Sequence, residues 1–353
     1  MNPKPIMLAA TEFCDGATGS GMVAGFRDLG WLVQTVDHGQ FAGCGGSLML
    51  RMATWQSRKV LQRLYREAVW RECSALRPDV FFTVKGSGLD VELLRRIRGL
   101  GTKTVMYYPD VHFDHAGVDQ ASFELYDLFV TTKSFQLDWL RQRLGSERVA
   151  YLPHGFSGAV FQPVIEKIKE ENCRFDVLYM GNHSPYKQSW LQRLLELSPG
   201  LDLGVVGGRW REQRPALDIP ESSFLGQQTG LSLSKLIQSS RINVAIHHAR
   251  PGDDWVDLVS TRTFEIPACR GFMLHIDNAE VREFFDVPRE IDVFSSADEL
   301  QRKIQFYLSR TQLRLDMAER AYSRAISNYS YGHRAAQIDE ILRSKGQISA
   351  ILS

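Results

Sequence analysis

The stretch Ser239–Asp277, SSRINVAIHHARPGDDWVDLVSTRTFEIPACRGFMLHID, decides the fold. Ile242, Val244 and Ile246 read as an apolar strand that runs into a polar loop. Ser260-Thr261 is a helix N-cap signal, and a short helix carrying Arg262 and Glu265 follows. Cys269-Arg270-Gly271 stops that helix before a second apolar run, Phe272-Met273-Leu274. An Arg and a Glu one helical turn apart, at the start of a helix that follows a strand, point at the place where α/β proteins bind phosphorylated ligands.

The same alternation extends in both directions. Upstream, strands are predicted at Ile6–Ala10, Trp31–Val36, Asp79–Val84, Lys103–Tyr107, Leu125–Thr131 and Val149–Leu152, with helical patterns between them. After Pro153-His154-Gly155 the pattern restarts with strands at Phe175–Met180 and Leu201–Val206 and helices at Lys187–Leu197 and Leu231–Ser239. From Ala297 to Leu342 the period is helical, with a break near Tyr329-Ser330-Tyr331-Gly332. The expected fold is α/β: two Rossmann-like, doubly wound parallel-sheet domains facing a cleft, with a C-terminal helical tail. The expected boundaries are 1–153, 154–328 and a tail helix at 329–353 that packs back on the first domain.

Composition narrows the function classes. A chain of 353 residues suggests about two domains. Net charge is +1, so nothing global calls for nucleic acid. The five cysteines, at 14, 44, 73, 173 and 269, include no Cys-x-x-Cys, which argues against a disulfide framework or a zinc site and for a reducing compartment. Neither a signal peptide nor a run of about 20 apolar residues is apparent, so a cytoplasmic protein is expected. The basic amphipathic stretch Arg51–Arg71 offers a peripheral contact with the inner membrane surface, against the plainer reading of a domain helix with a solvated face.

Open parallel sheets bind ligands beyond the C-terminal ends of their strands, so the loops there carry the chemistry. Gly181-Asn182-His183-Ser184-Pro185-Tyr186-Lys187 combines a glycine, a helix start and an ammonium, which suits a diphosphate. Gly207-Gly208-Arg209 suits close approach to a phosphate or base, although paired glycines are also a common turn device. Glu265 is placed to accept from the two hydroxyls of a ribose, while Arg262 pairs with phosphate or orients Glu265. His247 and His248 follow the strand as candidate lining residues. In the first domain, Asp110, His112, Asp114 and His115 offer a general base, a sugar contact or, as a rival, a metal site. The glycines from Gly16 to Gly21 do not form the dinucleotide spacing, and the loop reads as a close-approach turn facing the cleft.

Arg262-Thr263-Phe264-Glu265-Ile266-Pro267-Ala268-Cys269-Arg270-Gly271, with Ile242–Ile246 before it and Ala318–Arg334 after it, resembles the C-terminal half of the CgeB-type, spore-protein-like glycosyltransferases. These are similar to the broad GT-B class. Arg270 interrupts the usual Cys-Gly. The resemblance implies a nucleoside-diphosphate sugar held mainly by the second domain, with Glu265 on the donor ribose and Lys187 and Arg209 near the diphosphate; Gly181, Asn182, His248, Arg262 and Thr263 complete the expected donor-binding set. It implies no metal and no cofactor, and an acceptor held mainly by the first domain, where Asp110 or His112 takes the acceptor proton or binds the donor sugar. Asp257, eight positions before Glu265, partly matches the paired acidic residues of retaining relatives and leans the reaction towards retention. A nucleotide-sugar epimerase or hydrolase on the same architecture, or a non-catalytic sugar- or partner-binding protein, is the alternative.

Overall fold

A computed structural model describes residues 4–42, 48–115, 117–166, 169–212, 217–247, 249, 252 and 254–348. The chain forms two compact units, one of residues 1–153 with 331–353 and the other of residues 154–330.

In the first unit the order is β1 (Ile6–Thr11), α1 (Thr18–Asp28), β2 (Leu32–Asp37), α2 (Gly39–Ala42), α3 (Leu48–Leu76), β3 (Val80–Val84), α4 (Val91–Gly99), β4 (Lys103–Tyr108), β5 (Leu128–Thr131), α5 (Leu137–Leu144) and β6 (Val149–Tyr151). All six strands are parallel, in the order β2-β1-β3-β4-β5-β6. Near-continuous apolar runs such as Met7–Ala10 and Phe81–Phe82 are fully buried, as a sheet covered on both faces requires. The order reverses between β1 and β3.

The second unit runs β7 (Phe175–Met180), α6 (Pro185–Leu197), β8 (Leu203–Val206), β9 (Phe224–Gly226), α7 (Gly230–Gln238), β10 (Ser240–Ala245), α8 (Thr261–Ala268), β11 (Met273–Ile276), α9 (Ala279–Phe284), β12 (Asp292–Phe294), α10 (Ala297–Leu308) and α11 (Thr311–Asn328). Its six parallel strands lie in the order β12-β11-β10-β7-β8-β9. Here the order reverses between β7 and β10. At such a switch point the loops diverge to opposite faces and leave a crevice for ligands.

A last helix, α12 (Tyr331–Ser344), belongs to the first unit and packs along α1. Trp31 Nε1–H donates to Asp339 Oδ1 at 2.9 Å, and the Thr18 and Tyr331 hydroxyls lie 2.9 Å apart. Gly19, Gly21 and Gly25 have a packing role, so at Gly19 and Gly21 the close approach expected of this loop is to the chain's own Thr11 and Tyr331. A Cβ on Gly19 would stand 2.5 Å from Thr11 Cγ2, and one on Gly25 would stand 2.8 Å from Gly332 Cα. These glycines let α1 lie close to β1 on one side and to α12 on the other.

Candidate nucleotide site at the β7–β10 switch point

The loop after β7 and the turn after β8 are stitched together through their backbones. Gly181 N–H donates to Val206 O at 2.9 Å, and His183 N–H donates to Gly208 O at 3.0 Å. Asn182 Oδ1 accepts from Gly208 N–H at 2.9 Å, and Trp210 Nε1–H donates to Gly181 O at 2.8 Å. A Cβ on Gly207, whose φ is +139°, would stand 2.1 Å from Gly181 O. Gly207 therefore serves close approach of one loop to another and not of a loop to phosphate. Arg209 sits next in the turn, exposed and with φ +69°, so its guanidinium projects from a backbone fixed on both sides.

Ser184 caps α6, its hydroxyl accepting from Lys187 N–H at 3.3 Å, and Pro185 occupies the first helical position. Lys187 Nζ reaches back to Asn182 O at 3.3 Å. Burial holds the Lys187 ammonium below the ordinary lysine range; the Asp257 carboxylate opposes this and the Arg262 charge adds to it. Lys187, Asp257 and Arg262 thus share one electrostatic neighbourhood.

α8 presents its first turn to that neighbourhood and buries the rest. A capping box closes its start: the Ser260 hydroxyl accepts from Arg262 N–H at 3.2 Å, and Ser260 N–H donates to Thr263 Oγ1 at 3.2 Å. Its end is a Schellman turn, with Gly271 N–H donating to Ile266 O at 3.0 Å and Arg270 N–H to Pro267 O at 2.9 Å. The left-handed residue is Arg270 (φ +56°), not the glycine. Its guanidinium pairs with Glu319 at 3.0 Å and stacks on Tyr322. Gly271 is needed for space, since a Cβ there would stand 2.6 Å from Ile237 Cγ2.

Glu265 is 3% exposed and its carboxylate accepts from the Arg262 guanidinium. Burial raises its pKa, and Arg262 and the Thr261 hydroxyl partly offset that rise. Arg262 thus orients Glu265, one of the two roles weighed for it, and its guanidinium has further N–H donors beyond that bond. Thr263 does not line the site. It is fully buried, and its hydroxyl is shared between the cap and His275 Nε2, 3.0 Å away. His275 Nδ1 lies 2.6 Å from Ile276 O, so Nδ1–H donates there and Nε2 is the acceptor for the His247 Nε2–H at 2.7 Å. Burial pushes His275 down to about 4, which keeps it neutral in this chain of bonds. His248 lies outside the described residues.

In the first unit, the loops after β3 and β4 bring Asp110 against Lys85, and His115 Nε2 lies 3.2 Å from Asp110 Oδ2. His115 thus meets Asp110, and the His112 backbone oxygen accepts from the Tyr108 hydroxyl at 2.6 Å. Gln136 pins the loop by donating to Asp110 O and Val111 O at 3.0 and 2.8 Å. Lys85 escaped sequence reasoning. Its signal was the Val84-Lys85-Gly86 strand end, where a lysine adopts φ +68°.

Residues 186–340 match a family model described as glycosyl transferase-like. Over those residues the chain has a glycosyl transferase-like domain. That segment contains Lys187, Arg209, Arg262, Thr263 and Glu265. No curated protein matches the chain by sequence. Among solved structures, sucrose-phosphate synthase from Thermosynechococcus elongatus aligns with a TM-score of 0.65 at 14% identity, over 98% of this chain and 100% of that one. A glycosyltransferase from Rickettsia africae aligns at 0.64 and 13% identity, over 98% and 100%. Anabaena HepE, solved with UDP and glucose, aligns at 0.61 and 15% identity, over 96% and 100%. These similarities establish the GT-B fold for this chain. Among the described residues no helix is long and apolar enough to cross a membrane.

Proposed function

We propose that the protein transfers a sugar from a nucleoside diphosphate to an acceptor hydroxyl, and that it is a CgeB-like member of the GT-B class. One observation carries this reading: at the β7–β10 switch point a buried carboxylate, Glu265, is oriented by Arg262, and the half-buried Lys187 shares that neighbourhood. A carboxylate held this way suits the two hydroxyls of a ribose, and the cations suit the pyrophosphate beside it. HepE, which shares the fold, holds UDP and glucose in its solved structure, which supports the same ligand class here.

Departure of the diphosphate needs positive charge aimed at the leaving oxygens. Lys187, Arg262 and the exposed Arg209 supply it from this chain without a metal ion. Asp257, eight positions before Glu265, supports transfer with retention at the anomeric carbon. The acceptor is assigned to the first unit, at the loop carrying Asp110 and His112. The membrane reading of α3 rests on Val60 and Leu64, 59% and 45% exposed beside Lys59 and Arg63. Binding to anionic vesicles in preference to neutral ones tests it.

The function is tested by incubating the protein with a panel of nucleotide sugars, with and without a pool of hydroxyl acceptors, in EDTA. Acceptor-dependent release of the diphosphate is expected. Conversion of the nucleotide sugar to an epimer or free sugar with no acceptor present would refute transfer, and loss of turnover in EDTA would refute metal independence. The anomeric coupling constant of the product decides retention.

A further inference from the structure

Tyr179, the fifth residue of β7, is fully buried, and its phenol oxygen has no hydrogen-bond partner among the described residues. Buried hydroxyls are nearly always paired, so an orphan beside the loop that follows β7 asks for an explanation. A Cβ on Gly181 would stand 2.6 Å from this oxygen and 3.4 Å from Lys187 Nζ. The phenol and the ammonium therefore converge on one point beside Gly181. Gly181 is not among the left-handed glycines, so its lack of a side chain matters there for space and not for conformation. The Arg262 charge reaches both Tyr179 and Lys187. Burial pushes the phenol pKa up, so the hydroxyl keeps its proton and remains a donor. Donors thus gather beside Gly181, and the ammonium itself donates to a backbone carbonyl, Asn182 O, at 3.3 Å.

We propose that the Tyr179 hydroxyl binds the ligand's diphosphate, as a third donor beside Lys187 and Arg262 over the side-chain-free Gly181. This rests on the nucleotide-sugar reading given above. A diphosphate oxygen drawn in by the two cations fills the vacant acceptor position of the phenol, and the desolvation penalty stored in the free protein is relieved on binding.

Calorimetric titration with UDP, pyrophosphate and uridine tests this on the wild type, Tyr179→Phe and Lys187→Ala. Because the hydroxyl has no partner among the described residues of the free protein, Tyr179→Phe is expected to melt no lower than the wild type. Its Kd for UDP and for pyrophosphate should rise about ten- to a hundredfold, the usual worth of a hydrogen bond to a charged group, while uridine binding stays unchanged. Gly181→Ala should weaken the same two ligands by crowding the phenol and the ammonium. If Tyr179→Phe binds UDP like the wild type while Lys187→Ala does not, the phenol plays no part although the site stands. Equal weakening of uridine would mean the residue acts through packing, which also overturns the proposal. A wild-type protein that binds none of UDP, GDP, dTDP and ADP would overturn the nucleotide-sugar reading along with it.

Discussion

Replacing Glu265 by Gln separates its charge from its shape. An ionised carboxylate offers about four lone-pair positions. In the structure Arg262 takes one and the Thr261 hydroxyl another. Two remain, which matches the two hydroxyls of a ribose. Hydrogen bonds to a charged group contribute about 1.5–3 kcal/mol and neutral ones about 1 kcal/mol, so the amide forfeits roughly 0.5–2 kcal/mol per hydroxyl. Together that is about 1–4 kcal/mol, or about a 5- to 1,000-fold rise in Kd. Folding stability should change much less. Gln loses the ion pair with Arg262, which has 29% of its side chain exposed, but it also removes the cost of burying a carboxylate that is 4% exposed, and the two effects oppose each other.

The assay compares UDP with 2′-deoxy-UDP on the wild type and on Glu265→Gln. The wild type should prefer the ribonucleotide, the variant should bind UDP more weakly, and the preference should shrink because the missing hydroxyl no longer meets a charge. If the wild type binds both nucleotides alike, the carboxylate does not face the sugar and the reasoning fails. It fails equally if Glu265→Gln keeps full affinity and full discrimination.

Three further outcomes follow from the geometry. Lys187 is held below the ordinary lysine range, so UDP affinity should fall with rising pH before a free lysine, at about 10.4, would lose its charge, and Lys187→Arg should flatten the profile; a flat wild-type profile argues against a buried ammonium at the site. His275 has its pKa lowered from 6.5 to about 4, so its contribution to stability is complete above about 6.5 and is lost as pH falls towards 4, by up to about 3 kcal/mol; urea unfolding of wild type and His275→Gln across that range should show a shallower pH slope in the variant. Gly25→Ala places a methyl 2.8 Å from Gly332 Cα. Overpacking of about 1–3 kcal/mol exceeds the helix-propensity gain of about 1 kcal/mol, so thermal melting should drop, and an unchanged midpoint would mean α1 and α12 separate freely.

The sheet was legible wherever burial on both faces left a continuous apolar run, as at Ile6–Thr11 and Phe175–Met180. It was not legible at β9 and β12, three residues each, where pairing with a neighbour and not the local pattern makes the strand. The α8 cap was readable because Ser-Thr before a helical period has a local meaning. The helix stop at its end was readable as well, but not which residue turns left-handed: Arg270 takes that conformation with help from Glu319 and Tyr322, which are distant in sequence.

The candidate site follows the same division. Candidates that depend on type and position in one loop, such as Lys187 and Glu265, could be put forward from sequence, whereas contacts that depend on a partner elsewhere could not. Thr263 looked like a ligand contact, but His275, from the neighbouring strand, occupies its hydroxyl. Gly207 looked like a phosphate turn, but the Gly181 carbonyl fills the space its missing side chain leaves. Tyr179 drew no notice inside an apolar strand, because a tyrosine there is ordinarily core. What distinguishes it from Tyr107 is a three-dimensional fact: its hydroxyl has no partner among the described residues, whereas that of Tyr107, equally buried, donates to Pro153 O at 3.0 Å. Chemistry carried by one side chain reads along the chain; chemistry shared across a sheet has to be read across it.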